Sequence, residues 1–244
     1  MPSLAKLRTL LLFIPAVTVN TVLCGATSMA LAVVFRSGEP SHRVASFWAW
    51  LVLKICRVQV ELHGAENLTG SERYIIASNH QSLFDTAILF AYLPVSFRIL
   101  YKKSLNRIPF LGWHLFLSGH IPVERENPGK ARESLRYAAE RILNGVSVVV
   151  FPEGTRSFDG VMRNFKKGSF VLAVRTRTPV VPITIADSHL VMKRGEVTVS
   201  PRTVRVYVSP CVDPSDYSEE TVTELASHVQ GIIRDRLRAS QAHA

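Results

Sequence analysis

Two residues whose side chains could do chemistry together, His80 and Asp85, lie five positions apart in a polar segment of the sequence. An imidazole titrates close to neutral pH, so His80 could act as a general base that removes a proton from a reacting group. Asp85 could orient that imidazole. The spacing alone is not specific, because Ser82 and Asp85 also match the Ser-x-x-Asp capping box that begins many helices. The segment therefore predicts either a catalytic dyad or a helix cap beside a surface histidine.

A second polar segment, residues 152–157, combines a carboxylate, a glycine and a guanidinium group in Glu153, Gly154 and Arg156. An arginine can hold a phosphate with paired donors, and a glycine lets the backbone approach a ligand closely. Most arginines lie on solvated surfaces, whereas Arg156 follows an apolar run that ends at Phe151. The segment therefore predicts a loop that contacts an anionic ligand.

The elements around these two segments predict that both lie at one edge of a sheet. Residues 74–77 and 146–151 are short apolar runs rich in β-branched side chains, which is typical of buried strands. A helical pattern at residues 86–93 follows the first run, and another at residues 128–144 precedes the second run. Open α/β sheets bind ligands at the carboxyl ends of their strands, so we expect the two loops to face one site.

The other patterns complete an α/β domain with a central, mostly parallel or mixed sheet flanked by helices. Strands are predicted at residues 57–62, 95–101, 119–125 and 179–186, a helix at 169–176, a β-hairpin pair at 196–208, and an amphipathic helix capped by Ser218 at 218–238. We expect two parts: an N-terminal hydrophobic segment, residues 1–56, and the α/β domain, residues 57–244.

The composition favours an anionic partner and a membrane. Lys and Arg number 29 against 19 Asp and Glu, a formal net charge of +10. This excess suits a nucleic acid, an anionic membrane surface, a phosphorylated substrate or an acidic carrier protein. Hydrophobic residues make up 47% of the chain, which favours the membrane. Cys24, Cys56 and Cys211 form no close pair, so the sequence offers no zinc or redox spacing.

The N-terminal segment has the properties of a membrane anchor. Residues 9–35 carry no charge and are numerous enough to span a bilayer. Pro15, Asn20 and Gly25 interrupt the run, so two shorter helices that dip into one leaflet are an alternative. Ala30-Leu31-Ala32 also resembles a signal-peptidase site, but the apolar run continues beyond it. We expect membrane attachment rather than cleavage.

A second apolar stretch, residues 44–56, is too short to span a bilayer and contains Phe47, Trp48 and Trp50. It predicts either an interfacial helix or a core helix. The basic and aromatic segment 102–119 could bind single-stranded nucleic acid, but its strongly apolar run better suits a core or membrane-facing helix. The dinucleotide, Walker, zincin and nucleophile-elbow motifs are absent from the sequence.

Four blocks in order make the chain resemble the 1-acylglycerol-3-phosphate acyltransferases, a family of the glycerolipid (lysophospholipid) acyltransferases. His80 and Asp85 match the family's His-x4-Asp motif, and residues 151–157 match its third block throughout. Residues 119–125 stand in the place of the second block, and residues 181–183 resemble the fourth. The second block departs from the family in Pro122 and Glu124, where a bulky residue and Asp are more usual, which leaves acceptor preference less defined.

This resemblance implies a reaction: transfer of a fatty acyl group from acyl-CoA or acyl-carrier protein to the free sn-2 hydroxyl of 1-acylglycerol-3-phosphate (lysophosphatidic acid), giving phosphatidic acid. His80 would be the general base and Asp85 would hold its imidazole, with no enzyme nucleophile, metal or cofactor beyond the acyl donor. The resemblance also implies that cations hold the acceptor's phosphate and that neighbouring residues shape the acceptor side; these residues are Lys103, Arg125, Glu153, Gly154, Thr155 and Arg156.

The resemblance implies a membrane-associated enzyme, at the inner or cell membrane if bacterial, with its catalytic domain facing the cytoplasm and no nucleic-acid partner. Two alternatives remain. The acceptor could be another lyso-lipid, such as a lyso-ornithine lipid or another lysophospholipid. The chain could instead be a non-catalytic protein that binds anionic membranes, and such a protein would not need His80.

Overall fold

Helices and strands alternate after an N-terminal helical hairpin in the computed structural model, which describes residues 3–35, 38–69, 72–124, 127–157, 160–193 and 195–242. The helices are α1 (Leu4–Arg8), α2 (Ile14–Val34), α3 (Glu39–Ile55), α4 (Phe84–Tyr92), α5 (Leu111–Leu117), α6 (Pro128–Leu143), α7 (Gly168–Thr176), α8 (Ser188–Val191) and α9 (Val222–Gln241). The strands are β1 (Gln59–His63), β2 (Ile75–Ser78), β3 (Phe97–Lys102), β4 (Ile121–Val123), β5 (Ser147–Val150), β6 (Val180–Ala186) and β7 (Thr203–Val208). Single 3-10 turns lie at Ala65–Asn67, Lys103–Arg107 and Pro214–Asp216.

The seven strands form one sheet in the order β1-β7-β6-β2-β5-β3-β4. Neighbouring strands run parallel, except that β6 and β7 are antiparallel. The predicted mixed α/β sheet is therefore confirmed. β2 and β5 are direct neighbours, with Ile75 opposite Val148, so the two polar loops that follow these strands leave the sheet side by side.

Both faces of the central strands are covered, which explains why β2 and β5 are buried at every position and apolar at all but one position each. Ile76 packs with Leu53 of α3 and Ile88 of α4 on one face. Ile75, its neighbour in β2, packs on the other face against a layer that includes α6, α7 and α9. Alternate side chains of a strand point to opposite faces, so a strand covered on both sides carries no polar alternation.

The predicted hairpin at residues 196–208 is wrong. β7 pairs with β1 and β6, and residues 195–202 form no strand. Their backbone is bonded elsewhere: the Val199 amide donates to the Thr9 hydroxyl oxygen at 3.1 Å, and the Ser200 amide donates to the Val191 carbonyl oxygen at 2.8 Å. Long-range contacts of this kind override a local strand pattern.

The predicted cap of the last helix is also wrong, because α9 begins at Val222 and Thr221 is its capping position. The Ser218 hydroxyl oxygen instead accepts from the amides of Glu220 (3.2 Å) and Thr221 (3.4 Å). Ser218 therefore closes the turn that precedes the helix.

The N-terminal helix turns polar groups toward the rest of the protein and exposes apolar side chains on its other side. Asn20 donates through Nδ2 to the Trp48 carbonyl oxygen (3.1 Å), Trp48 donates through Nε1 to the Thr21 hydroxyl (3.0 Å), and Ser41 donates through Oγ to the Ser28 carbonyl (3.0 Å). Large aliphatic side chains are exposed on the other side: Leu10, Leu11, Leu12, Ile14, Val19, Val22, Leu23, Val33 and Val34. A π-helical stretch at Thr9–Phe13 joins α1 to α2, and the resulting helix, Leu4–Val34, is long and apolar enough to cross a membrane by length and composition.

The following helix, α3, has one face in the core and one face exposed. Ala49, Val52 and Leu53 are buried within the cluster that covers the sheet. Phe47 and Trp50 are exposed and stack on each other with their ring centroids 6.0 Å apart. Phe47 and Trp50 therefore lie on the face of α3 away from the sheet, whereas Trp48 packs between α2 and the core.

Candidate active site

His80 and Asp85 form a hydrogen-bonded pair at the carboxyl edge of the sheet, between the end of β2 and the start of α4. The His80 Nδ1 and Asp85 Oδ2 atoms are 2.8 Å apart, and the side chain of Asp85 is fully buried while that of His80 is 18% exposed. A carboxylate oxygen accepts, so this contact assigns the proton to Nδ1 in the neutral ring. Nε2 then carries the lone pair that a general base needs.

The same carboxylate oxygen also organises the start of α4. Asp85 Oδ2 accepts from the amides of Gln81 (2.7 Å) and Ser82 (2.8 Å) as well as from His80. One half of the predicted capping box is therefore present, and the Ser82 hydroxyl oxygen accepts from the Phe84 amide at 3.4 Å. The dyad and the cap are thus not alternatives, because one atom serves both.

Glu153 ties the two polar loops together through the backbone of His80. The His80 amide donates to Glu153 Oε1 at 2.7 Å, and the Ser157 amide donates to the His80 carbonyl at 3.0 Å. Glu153 Oε2 accepts from the Arg163 amide at 2.9 Å. Burial raises the pKa of the Glu153 carboxyl, and these two amide donors offset part of that increase. The second loop therefore fixes the backbone position of the histidine.

Two further contacts constrain His80 and the strand end before it. The Phe151 ring stacks on the His80 imidazole, with centroids 4.0 Å apart and an interplanar angle of 21°. Asn79 bonds both backbone groups of Ile185 in β6: its Oδ1 accepts from the amide and its Nδ2 donates to the carbonyl, each at 2.8 Å. The side chain of Asn79 thus continues the pairing of β2 with β6 beyond the last residue of the strand.

The loop after β5 also depends on a glycine. Gly154 has a φ of +74°, and a Cβ at this position would lie 3.2 Å from Lys166 Nζ. The Gly154 amide donates to the Phe151 carbonyl at 2.9 Å and closes the turn. The left-handed backbone and the nearby lysine together explain why the turn carries glycine.

Those predicted phosphate-binding residues that the structure describes follow strands at the same edge of the sheet. Thr155 and Arg156 are half-buried in the loop after β5, and Lys103 is exposed at the start of the 3-10 turn after β3, the neighbour of β5. Arg125 lies outside the described residues. The structure thus joins His80, Asp85 and Glu153 by hydrogen bonds, and the binding of a phosphate by the cations stays a prediction.

An apolar cavity of about 400 Å³ lies between α2, α3, α4 and α5. Thr86, which follows Asp85 in the chain, is one of its lining residues. The others include Gly25, Trp48, Phe90, Phe110 and Leu115. Its lining suits a hydrocarbon group rather than a charged one.

Sequence reasoning did not find three of these contacts: the Phe151 stack, the Asn79 bridge and the Glu153 clamp. All three residues lie in the matching blocks, which is the signal that the sequence offered. Their partners are far along the chain, so the order of strands in the sheet had to be known before the contacts could be assigned.

Comparison with known proteins places this site in a recognised family. A family model described as Acyltransferase matches residues 59–186, from β1 to the end of β6. The chloroplastic 1-acyl-sn-glycerol-3-phosphate acyltransferase BAT2 of Brassica napus is 33% identical over 187 residues, covering 71% of this chain and 54% of that protein. The corresponding enzyme of Borreliella burgdorferi is 32% identical over 188 residues, covering 76% and 72%. The chain therefore spans about half the length of the plant relative.

A solved structure is similar over the whole chain. It is the crystal structure of the 1-acyl-sn-glycerophosphate (LPA) acyltransferase PlsC from Thermotoga maritima, with a TM-score of 0.83 and 28% sequence identity. The match covers 98% of each chain, so it includes the N-terminal helical hairpin as well as the α/β domain.

Proposed function

Because the chain belongs to the acyltransferase family, we propose that it transfers a fatty acyl group from acyl-CoA or acyl-carrier protein to the sn-2 hydroxyl of 1-acyl-sn-glycerol-3-phosphate, giving phosphatidic acid. The observation that carries this proposal is the bond of 2.8 Å between His80 Nδ1 and the buried Asp85 carboxylate, with the imidazole partly exposed at the sheet edge. Relatives from Brassica napus and Borreliella burgdorferi carry the name of this activity.

The chemistry follows from the tautomer of His80. An alcohol is a poor nucleophile at neutral pH, so Nε2 of His80 takes the hydroxyl proton as the hydroxyl oxygen attacks the thioester carbonyl carbon. Asp85 stabilises the imidazolium through Oδ2. The carbon–sulfur bond then breaks, and the leaving thiolate takes the proton from the imidazolium. Atoms and charge balance without a covalent enzyme intermediate.

Cations at the same edge support an acceptor with a phosphate. Arg156 follows β5, Lys103 follows β3, and Arg125 follows β4 in the sequence. A guanidinium binds phosphate with two parallel hydrogen bonds, so Arg125 and Arg156 would hold the headgroup while His80 reaches the hydroxyl. Glu153 would support this geometry by holding the backbone of His80, because its carboxylate accepts from the His80 and Arg163 amides.

The N-terminal hairpin supports membrane association within one leaflet. Aliphatic side chains exposed along a helix whose polar groups are buried fit a lipid environment. The helix contacts the α/β domain near both ends: Arg8 donates to the Val199 carbonyl at 3.3 Å, and the Ser28 and Ser118 hydroxyls are 3.4 Å apart. A helix held along the domain in this way lies beside the sheet instead of leaving it to cross a bilayer.

The membrane location also fits the substrates, since the acceptor and the product are lipids and the donor is soluble. The α/β domain would then face the cytoplasm. We propose residues 1–56 as the membrane-associating part and residues 57–244 as the catalytic part, with α3 belonging structurally to both because Leu53 lies in the core and Trp50 is exposed.

A single assay tests the proposed reaction. Purified protein is incubated with acyl-CoA or acyl-carrier protein and with 1-acyl-sn-glycerol-3-phosphate, a lyso-ornithine lipid or another lysophospholipid, and products are identified by mass spectrometry. We expect phosphatidic acid from the phosphate acceptor. Selective acylation of another lyso-lipid would make that lipid the acceptor, and no product from any pair would contradict the enzyme assignment.

The variant His80→Ala should lower turnover by about 100-fold or more, because the general base is lost. His63→Ala is the matched control, since His63 is exposed on β1, away from the dyad. Circular dichroism should show both variants folded. Normal turnover by folded His80→Ala protein would overturn the proposed mechanism.

A further inference from the structure

A second exposed apolar surface lies on α5 and the turn before it, and we propose that it is a membrane contact separate from the N-terminal hairpin. The α5 surface consists of five side chains: Ile108, Leu111, Trp113, Phe116 and Leu117. Trp113 is 61% exposed and Phe116 is 68% exposed. Large aromatic side chains this exposed and this close together are unusual on a water-facing surface and mark an interaction site.

The α5 helix repeats the inverted polarity of α2. The polar groups of this segment are His114, which is half-buried, and Ser118, the residue after the helix, which is buried beside Gly112 and Leu115. The Ser118 hydroxyl lies 3.4 Å from both the His114 Nδ1 atom and the Ser28 hydroxyl of α2. Polar groups thus meet between α2 and α5 while apolar side chains face outward on each. A helix in water would place these groups the other way round.

The α5 helix is also locked against α2. Phe110 has a φ of +64°, which is a strained conformation for an aromatic residue. Its ring lies on Gly25 of α2, where an added Cβ would be only 2.6 Å from Phe110 Cζ. Backbone strain is retained only where the surrounding packing holds it, so α5 and α2 form one continuous unit. If α2 lies in a leaflet, the α5 surface therefore lies at its boundary.

Basic side chains next to this surface identify the occupant as a bilayer with anionic lipids. Lys102 and Arg107 are exposed in the segment that leads into α5. On α3, Lys54 Nζ lies 5.8 Å from the centroid of the Trp50 ring. Aromatic rings combined with Lys and Arg are the arrangement found at the membrane interface, where cations contact lipid phosphates.

This contact would hold the reactive edge at the bilayer surface. The α5 surface follows the 3-10 turn Lys103–Arg107, which begins at the carboxyl end of β3. Leu83, between His80 and Asp85, is also an exposed apolar side chain. The inference rests on the membrane association proposed above but not on acyl transfer.

Tryptophan quenching tests the inference on the full chain. The sequence has three tryptophans, so Trp48→Phe with Trp50→Phe leaves Trp113 as the reporter. Vesicles of phosphatidylcholine and phosphatidylglycerol, with brominated or ordinary acyl chains, are the probe. We expect brominated lipid to remove most of the Trp113 emission. Unchanged Trp113 emission would overturn the inference. A second variant, Trp48→Phe with Trp113→Phe, leaves Trp50 as the reporter for α3, and its quenching would not rescue the inference.

A matched reporter sits on the opposite side of the sheet. Leu143 at the end of α6 is 57% exposed. The control variant carries Leu143→Trp and has all three native tryptophans replaced by Phe. Its single tryptophan reports on an exposed apolar position that we expect to face water. Its emission should not respond to brominated lipid. Quenching at this position as strong as at Trp113 would mean that the effect is not specific to α5.

A second measurement leaves Trp48 in place and decides the matter if the reporter variant does not fold. Trp113→Ser with Phe116→Ser should weaken vesicle binding about tenfold, because two interfacial aromatic side chains are lost. Leu143→Ser should bind as the unaltered chain does. If the double variant bound vesicles as strongly as the unaltered chain, the inference would be contradicted. It would also be contradicted if the unaltered chain were a dimer and the double variant a monomer, because a second copy would then cover the α5 surface.

The outcome is separable from the proposed reaction. Neither measurement contains donor or acceptor, and His80→Ala protein should show the same quenching. If the unaltered protein transferred no acyl group but Trp113 was quenched, only the proposed function would be contradicted. If it transferred acyl groups but Trp113 was not quenched, only this inference would be contradicted.

Discussion

The sheet core and helix α2 of the N-terminal hairpin show opposite patterns of burial. In the sheet, Val149 of β5 and Ile76 of β2 are buried between helices, and polar side chains collect at the carboxyl edge. In the hairpin, Asn20 and Ser28 are buried, and Leu11 and Leu23 are exposed. A region buries the groups that its surroundings solvate poorly, so this difference is the pattern expected if α2 contacts lipid, as proposed, and the sheet domain contacts water.

The contrast also bears on the candidate active site, which lies where the two regions meet. Asp85 lies in the first turn of α4, and α4 packs against α3 of the hairpin. The α5 surface continues the pattern of exposed apolar side chains beyond Lys103. Under the proposed function, a dyad in this position would take its acceptor from the bilayer and its donor from water.

Replacing one apolar side chain by serine in each region tests this difference most strongly. Val149→Ser, at 1% exposure, should lower the free energy of unfolding by about 2 to 4 kcal/mol, because a cavity forms and a hydroxyl is buried in the core. Leu23→Ser should change it by less than about 0.5 kcal/mol, because that side chain is exposed in the fold. Denaturant titration in detergent micelles gives both values.

The Leu23→Ser variant should instead bind vesicles more weakly. If it bound normally and Leu11→Ser did the same, α2 would not lie in lipid and the contrast between the regions would fail. If Leu23→Ser lowered the free energy of unfolding as much as Val149→Ser, the exposed face of α2 would be covered by protein.

The boundary between the regions predicts a pH dependence of stability. Burial lowers the pKa of His42 on α3 to about 4, Arg98 adds to the decrease, and Glu39 opposes it. The unfolded chain takes up this proton near pH 6.5, and the folded chain takes it up only near pH 4. Stability from this group is therefore present above pH 6.5 and falls as the pH drops toward 4, by about 3 kcal/mol at most.

Denaturant titrations across this pH range should show a shallower fall for His42→Phe. The fall should not vanish, because burial also lowers the pKa of His120. A profile for His42→Phe that matches the unaltered chain would show that His42 accepts a proton as readily in the fold as outside it.

The smallest expected change concerns the clamp between the two loops. Glu153→Gln keeps one acceptor oxygen and turns an amide group toward a backbone N–H, which should cost about 1 to 2 kcal/mol of stability. Turnover should fall while the KM for the acceptor stays near its original value, because His80 is displaced and the phosphate site is not. Stability and kinetics are measured on the same preparation.

Glu140→Gln is the control for that change, since Glu140 is an exposed partner of Arg136 on α6. It should leave both stability and turnover as they were. A rise in KM without a change in turnover for Glu153→Gln would place Glu153 at the acceptor, as the resemblance implied, and not behind His80.

Local pattern was sufficient for much of the fold. The apolar runs at β2 and β5, the helix α6 and the loops that follow the strands were all found from periodicity and β-branched content. The predicted strand at residues 196–202 is wrong for a physical reason, because the Val199 and Ser200 amides donate to the Thr9 hydroxyl and the Val191 carbonyl. Thr9 lies far from Val199 along the chain, so no local window contains that contact.

The sequence by itself determined the residue types of the site, with His80 and Asp85 close enough along the chain to meet within one strand-to-helix turn. Only the tertiary structure decided that β5 lies beside β2, and thus that Glu153 bonds the His80 amide and Phe151 stacks on its ring. It also decided which side of α2 and α5 is buried. Short-range contacts follow from spacing, whereas strand order and helix facing depend on the burial of the whole chain at once.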